Sequence, residues 1–451
     1  MSFIIDKQTI DDLNIFGKHN KANSIYSIFN STRTRGGAQI LEEMFNYPLN
    51  DLDKINKRSK IIKYFQEKKA EFPFRSEIFD SVEYYLGNTD SRTKIAAENN
   101  TLQRKLRSYM GSDTEYELLH KGILAAIEII NCLRDFVEQT DATQNPYYKD
   151  DIAEMNKILA DEQFAWAYQE KNSKKLVYAK TADYDHVLRY VARDKMKKML
   201  YLIYNLDAYI AVAKVATQRG FVFADALPSD QNILRIDEMF HPQLKNPKPN
   251  TLHVDHNSNV IFLTGANMAG KSTFMKTFGI CVFLAHMGFP VPAQKMEFSV
   301  QNGLFTTINL PDNLNMGYSH FYAEVLRVKK VAECVSRTHN LIVVFDELFR
   351  GTNVKDAYDA TVAVTEAFAA NRDCTFIIST HIMEAGETLR GLCNNINFTY
   401  LPTIMEGNIP RYTYRLQEGI TNDRHGMMII NNEHIIDIIK SRKKNTNTKS
   451  N

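Results

Sequence analysis

Val260-Ile261-Phe262-Leu263-Thr264-Gly265-Ala266-Asn267-Met268-Ala269-Gly270-Lys271-Ser272 is the stretch that decides how this chain folds. Its first four residues are a short apolar run of the kind that becomes a buried parallel strand. From Gly265 the spelling is G-x-x-x-x-G-K-[ST], and a helical pattern runs from Ser272 to Met287. Strand, glycine loop and helix in that order make a phosphate cradle. The glycines let backbone N–H groups turn inward around phosphate oxygens, and the helix N-terminus adds a favourable dipole. Lys271 neutralises β/γ charge, and the Ser272 hydroxyl can ligate Mg²⁺. The expected phosphate-binding residues are therefore Gly265, Ala266, Asn267, Met268, Ala269, Gly270, Lys271, Ser272 and Thr273, with ATP as the ligand.

Two further runs share this texture. Leu341-Ile342-Val343-Val344-Phe345 ends in Asp346-Glu347, and Thr375-Phe376-Ile377-Ile378 leads into Ser379-Thr380-His381. Parallel α/β sheets bind ligands beyond the carboxyl ends of their strands. Asp346 is expected to hold Mg²⁺ through water, Glu347 to orient the attacking water, and His381 to sense the γ-phosphate. Arg411 to Leu416 alternates Tyr412, Tyr414 and Leu416 with polar residues, which reads as a half-exposed edge strand.

Working towards the amino terminus, Pro228, Pro242, Pro247 and Pro249 mark a boundary after Gly220. Before it the chain reads as helix. Met196, Met199, Ile203, Leu206, Ile210 and Ala213 follow three and four spacing, so they form one buried face. Similar patterns run from Asp51 to Lys69, Thr114 to Glu138 and Asp150 to Gln169. The 451 residues suffice for two or more domains, and a net charge of only +2 gives no global basic field. The five cysteines are scattered without a C-x-x-C pair, against a disulfide framework or zinc site. No stretch of roughly 18 apolar residues and no signal-peptide core is visible, so a cytoplasmic protein with no membrane segment is expected.

The motifs now resemble a family. Thr264-Gly265-Ala266-Asn267-Met268-Ala269-Gly270-Lys271-Ser272-Thr273 resembles the T-G-P-N-M-G-G-K-S-T loop of the MutS mismatch-repair family, with Ala266 and Ala269 in place of Pro and Gly. Asp346 to Thr352 resembles its D-E-x-x-R-G-T, Ser379-Thr380-His381 its [AS]-T-H, and Gly288 to Ala293 its G-x-x-V-P-A. Gly317-Tyr318-Ser319-His320-Phe321-Tyr322-Ala323-Glu324 is similar to the family's G-x-S-x-F-x-x-E signature. Thr34 to Leu41 with Tyr47 to Asp51, and Asn205 to Ile210, are similar to the family's core and last long helix.

The resemblance implies a multidomain fold: an all-α core/lever domain over residues 1–225, an α/β P-loop NTPase (ABC-like) domain over 226–440, and a basic flexible tail over 441–451. It also implies a homodimer in which Ser319 reaches the nucleotide bound by the other subunit, with Arg350 and Asp356 either near that interface or in a loop salt bridge. The mismatch-reading and connector domains of the longer family members are expected to be missing. Phe65-Gln66-Glu67 and Phe136-Val137-Glu138 spell the family's reader motif, yet lie in helical patterns where the Phe would pack inward. Only Asn172 to Ala182 is available for a DNA clamp, with Lys171, Lys174 and Lys175 either touching phosphate or lining a solvated linker. The sequence shows no aromatic residue placed to stack on adenine. The functional expectation is an ATPase acting on DNA in repair or recombination without standard mismatch reading. The alternative is an ATP-gated binding or scaffolding protein for structured RNA or a protein partner.

Overall fold

The apolar runs stand side by side in one sheet of a computed structural model that describes residues 2–18, 20–88, 114–140, 144–308, 320–406, 409–421 and 434–444. Its seven strands lie in the order Ile4–Ile5, Gly303–Thr307, Leu341–Phe345, Thr375–Ser379, Val260–Gly265, Ile396–Leu401 and Gln417–Glu418. All neighbours are parallel except the last pair. The strands Val260–Gly265, Leu341–Phe345 and Thr375–Ser379 are buried along their whole length, which is why they read as unbroken apolar runs. Val343, Phe345, Phe376 and Ile378 pack with Val331 and Phe368 in one core cluster; Phe262 packs with Ala385 and Leu389 in another. Because neighbours are in register, Phe345 opposite Ile378 and Ile377 opposite Ile261, the ends of these strands open at one edge of the sheet.

The chain divides into two units, one comprising residues 1–28, 47–59 and 219–451 and the other residues 29–46 and 60–218. This differs from the single cut after residue 225. The first residues join the sheet: Ile4 and Ile5 pair with Gly303 and Leu304. Asp6 then caps the helix Lys7–Asp12 by accepting from the Thr9 N–H at 3.0 Å. Thr9 Oγ1 accepts from the Thr306 N–H at 2.9 Å, and Asp12 accepts from Thr306 Oγ1 and the Ile308 N–H. Arg327, almost fully buried, pairs with Asp6 and donates to the Thr306 carbonyl and the Thr307 hydroxyl. A two-residue strand leaves no alternation to read in the sequence.

The other unit is helical. Thr114–Gln139 packs on Glu77–Gly87, and Arg193–Arg219 buries Met196, Met199, Ile203, Leu206, Ile210 and Ala213, as their spacing predicts. Arg193–Arg219 is also the one described helix long and apolar enough to cross a membrane, but 72% of its most apolar window is buried inside the protein. Asp207 on this helix is 1% exposed. It accepts from the Arg33 N–H, the Thr34 N–H and the Thr34 hydroxyl, and Thr34 Oγ1 in turn accepts from the Gly37 N–H. A Cβ on Gly37 would stand 2.2 Å from the Asp207 carboxylate, so glycine is required for this approach. The stretch 150–169 is broken near Asp161, whose side chain caps the 3-10 turn Glu162–Phe164. Phe65 is buried in edge contact with Tyr148, and Phe136 is half-buried on the helix Thr114–Gln139.

Two local expectations are corrected. The edge strand over Arg411 to Leu416 stops early: Ile409–Tyr412 pairs with Thr403–Glu406, and Tyr414 takes a φ of 57° that strand geometry excludes. The tail over 441–451 is helical at its start, since Ile435–Lys444 is one helix; residues 445–451 lie outside the described residues.

Burial would raise the Asp6 carboxyl, but the hydrogen bond and charge of Arg327, with the Thr9 bonds, hold it at about 2 against an ordinary 3.8. A carboxyl depressed on folding stabilises above its unfolded pKa, and that contribution is lost as pH falls through the folded value. Asp6 should therefore contribute about 2 kcal/mol above pH 4, by the usual conversion of pKa to free energy. In urea titrations the stability gap between the wild type and Asp6→Asn should be widest above pH 4 and shrink as pH falls towards 2; a pH-independent gap would show that the ion pair is not its source.

Candidate functional site

At the end of Val260–Gly265 the backbone turns through Gly265, at φ 152°, Met268, at φ 67°, and Gly270, at φ 102°, before the helix Lys271–His286 begins. Met268 is exposed and bears no obvious packing duty, so its left-handed backbone is held by the loop around it. Gly270 sits at the N-cap with no capping side chain, which leaves the first-turn N–H groups of a 16-residue helix facing the loop. Such an end is an anion site. Lys271 is 5% exposed and its ammonium donates to the Gly265 carbonyl at 2.9 Å and the Ala266 carbonyl at 3.4 Å. Burial lowers its pKa, against the pull of Asp346 and Glu347.

The acids arrive from the neighbouring strand ends. Ser272 Oγ donates to Asp346 Oδ2 at 2.5 Å, and Ser379 Oγ donates to Asp346 Oδ1 at 2.6 Å. Glu347, at φ 54°, lies beside His381 with Oε1 to Nε2 at 2.8 Å, and Arg350 donates to its other oxygen at 3.2 Å. His381 Nε2 is also 3.4 Å from the Lys271 ammonium. Burial pushes the Asp346 carboxyl up despite its two hydroxyl donors, with Glu347 adding to the rise. The hydrogen bond from His381 leads the causes that hold Glu347 at about 2, opposed by burial and helped by Arg350 and Lys271. A buried carboxylate beside a second one suits a cation, and the Ser272 hydroxyl with the Asp346 carboxylate is a hard oxygen pair of the kind that could hold Mg²⁺. The donors present fit the metal.

A cavity of about 460 Å³ opens from this cluster. Its walls include Ala266, Asn267, Gly270, Lys271, Ser272 and Glu347, together with His241, Leu244, Pro247 and Tyr414. Tyr414 was missed by sequence reasoning, which put it in a strand. It stands so close to the loop that a Cβ on Gly270 would meet its ring at 3.1 Å. Asn250 fixes this segment, donating to the Tyr414 carbonyl at 2.9 Å and accepting from the Leu416 N–H at 2.7 Å. Paired Asn and aromatic residues 164 positions apart leave no local pattern to read.

Of the remaining candidates, Thr273 lines the same cavity. Ser319 lies outside the described residues. Asp356 is bound into the cap of the helix Val354–Ala369, accepting from the Asn353 side chain at 2.5 Å. In the helical unit Lys171 pairs with Asp135 at 2.7 Å and Lys180 with Glu170 at 2.6 Å, whereas Lys174 and Lys175 are exposed.

Comparison with known proteins adds a family to this geometry. The model of MutS domain V matches residues 261–448, and that of MutS domain III matches residues 8–349. Proteins named DNA mismatch repair protein MutS are similar to the chain. The one from Petrotoga mobilis is 23% identical over 94% of this chain and 62% of its own length. That from Persephonella marina is 30% identical over 52% of this chain and 27% of its own length. That from Fusobacterium nucleatum is 32% identical over 46% and 23%. The matches thus span less than two thirds of each relative.

Removing His381 takes away the largest influence holding Glu347 low. In His381→Ala the Glu347 carboxyl should titrate at a clearly higher pH than in the wild type, read by ¹³C NMR of labelled glutamate carboxyls. An unmoved resonance would disprove the contact.

Proposed function

The chain belongs to the MutS family, and from that premise we propose that it is an ATPase whose ATP binding and hydrolysis are coupled to binding DNA in repair or recombination, without standard mismatch reading. One observation carries the reading. The Ser272 to Asp346 bond at 2.5 Å and the Glu347 to His381 contact at 2.8 Å bring three separate motifs together at the mouth of a cavity framed by Lys271. A loop that merely resembled a phosphate cradle would not have an acid pair and an imidazole delivered to it by neighbouring strands. The strand order supports an ABC-like arrangement, with Thr375–Ser379 standing between the phosphate strand and the acid strand.

In this reading the residues Gly265, Ala266, Asn267, Met268, Ala269, Gly270, Lys271, Ser272 and Thr273 hold the phosphates, and Lys271 leaves its loop carbonyls for the β/γ oxygens. Ser272 and Asp346 hold Mg²⁺, which when bound neutralises charge on the phosphates. Glu347, ionised at any working pH, orients the attacking water. His381, poised between Glu347 and Lys271, meets the γ-phosphate. Tyr414, with Leu244 and Pro247, offers the base a flat apolar wall, which fits a cavity of about 460 Å³. Ser319 completes the site of a second copy, so that nucleotide state governs how two subunits meet.

The DNA half rests on the family and on the names of the relatives. With Lys171 and Lys180 held by carboxylates, the stretch Asn172 to Ala182 offers a phosphate backbone little beyond Lys174 and Lys175.

Lys271→Ala should abolish ATP binding, and Glu347→Gln should retain ATP while turnover falls by about 10²–10⁴; unchanged hydrolysis in the latter would remove Glu347 from its role. Mixed Ser319→Ala and Lys271→Ala subunits should regain one intact site, and no recovery would count against sharing. Gel shifts across a salt series with homoduplex, mismatched, branched and single-stranded DNA should show ATP-dependent binding that weakens as salt rises. A response to structured RNA alone would transfer the reading to RNA.

A further inference from the structure

Ser379 is fully buried at the end of a strand whose preceding residues, Phe376, Ile377 and Ile378, are apolar. A hydroxyl in such a place is costly unless it is bonded. Both of its bonds go to the two adjacent acids at the end of the neighbouring strand. It donates to Asp346 Oδ1 at 2.6 Å and accepts from the Glu347 N–H at 3.3 Å. The register leaves little alternative, because Phe345 lies opposite Ile378 and the next residue on each strand is Asp346 and Ser379.

The consequences differ for the two acids. With Oδ1 engaged by Ser379, the carboxylate of Asp346 cannot rotate freely, and Oδ2 is the oxygen turned to Ser272 at 2.5 Å. The same hydroxyl ties down the N–H of Glu347 in a turn whose φ of 54° is unfavourable for a residue with a side chain. That turn presents the Glu347 carboxylate to His381 and Arg350.

We propose that Ser379 is a positioning residue that sets the orientation of the Asp346 carboxylate for a divalent cation and fixes the turn carrying Glu347. The role rests on the ATPase reading of this site. Ser379 acts through Asp346 and Glu347. Partners that orient a metal-binding carboxylate typically govern metal affinity by about 10–100-fold.

The test is equilibrium binding of a fluorescent ATP analogue in EDTA and across a MgCl₂ titration, with melting temperature recorded for each variant. Ser379→Ala should bind the analogue in EDTA as the wild type does, but need about 10-fold more MgCl₂ for half-maximal gain in affinity. Ser379→Thr, which keeps the hydroxyl, should recover the wild-type titration. Should Ser379→Ala fail to fold, Ser379→Cys keeps the volume with a weak donor and should show a smaller shift in the same direction. An unchanged MgCl₂ half-saturation in a folded variant, or an equal loss of affinity in EDTA and MgCl₂, would overturn the role and leave a packing hydroxyl. If the wild type binds the analogue under neither condition, the ATPase reading falls and this role with it.

Discussion

The Asp346 carboxylate stands between two hydroxyls, Ser272 on one oxygen and Ser379 on the other, and the rest of the site depends on that placement. Ser272 lies in the first turn of the helix after one strand, Ser379 ends a second, and Asp346 follows a third. With the Ser379 strand between the other two, Asp346 has to reach past it to meet Ser272. Only a parallel sheet with its register fixed by buried, apolar strands ends three strands so close together. A slip of one residue would turn every side chain of a strand to the other face and carry Asp346 away from Ser272. The energy holding the site is thus mostly apolar burial in the strands, and the polar contacts choose among geometries that the sheet already allows.

That division explains what was legible in the sequence. Strands buried on both faces leave unbroken apolar runs, and the glycine-rich loop follows one of them at fixed spacing, so Val260 to Ser272, Leu341 to Glu347 and Thr375 to His381 could be read directly. Met196, Met199, Ile203 and Leu206 were legible for the same reason in helical period. Tyr414 was not, because its position follows from a φ of 57° and from hydrogen bonds to Asn250, and neither has a local spelling. Nor was the union of residues 4 and 5 with the sheet, since a two-residue strand carries no period. What a sequence reveals here is periodic burial and short motifs. Contacts between positions hundreds apart stay hidden until the fold is known.

One hidden contact connects the beginning of the chain to the acids. Arg327 holds Asp6 and also the Thr307 hydroxyl and the Thr306 carbonyl, while the Thr307 carbonyl accepts from the Asp346 N–H at 2.9 Å. Asp346 is therefore bonded through its backbone to the strand that the first residues cover, and through its side chain to the strand on the other side. Losing one partner of such a pair leaves an uncompensated charge and costs about 3–5 kcal/mol. Besides the pH-dependent stability that the depressed Asp6 carboxyl contributes, the pair therefore enforces one arrangement of this strand end.

Part of the backbone strain lies where those constraints meet. Met268, Glu347, Phe349 and Tyr414 all adopt positive φ without being glycine, and three of the four line the same cavity. Each costs of order 1–3 kcal/mol and persists only when its surroundings over-determine it. Phe349 is buried beside Phe321, and Tyr414 is anchored by Asn250, so those two are held by packing and by hydrogen bonds. Glu347 is held through its N–H by Ser379 and through its carboxylate by His381 and Arg350. Met268 has no such anchor among the described residues, its side chain being 75% exposed on the glycine-rich loop before the helix Lys271–His286. A loop backbone kept in a costly conformation with its side chain in solvent is not explained by packing of that side chain, and the loop's place on the wall of the cavity that Lys271, Ser272 and Glu347 also line is the remaining reason for the turn.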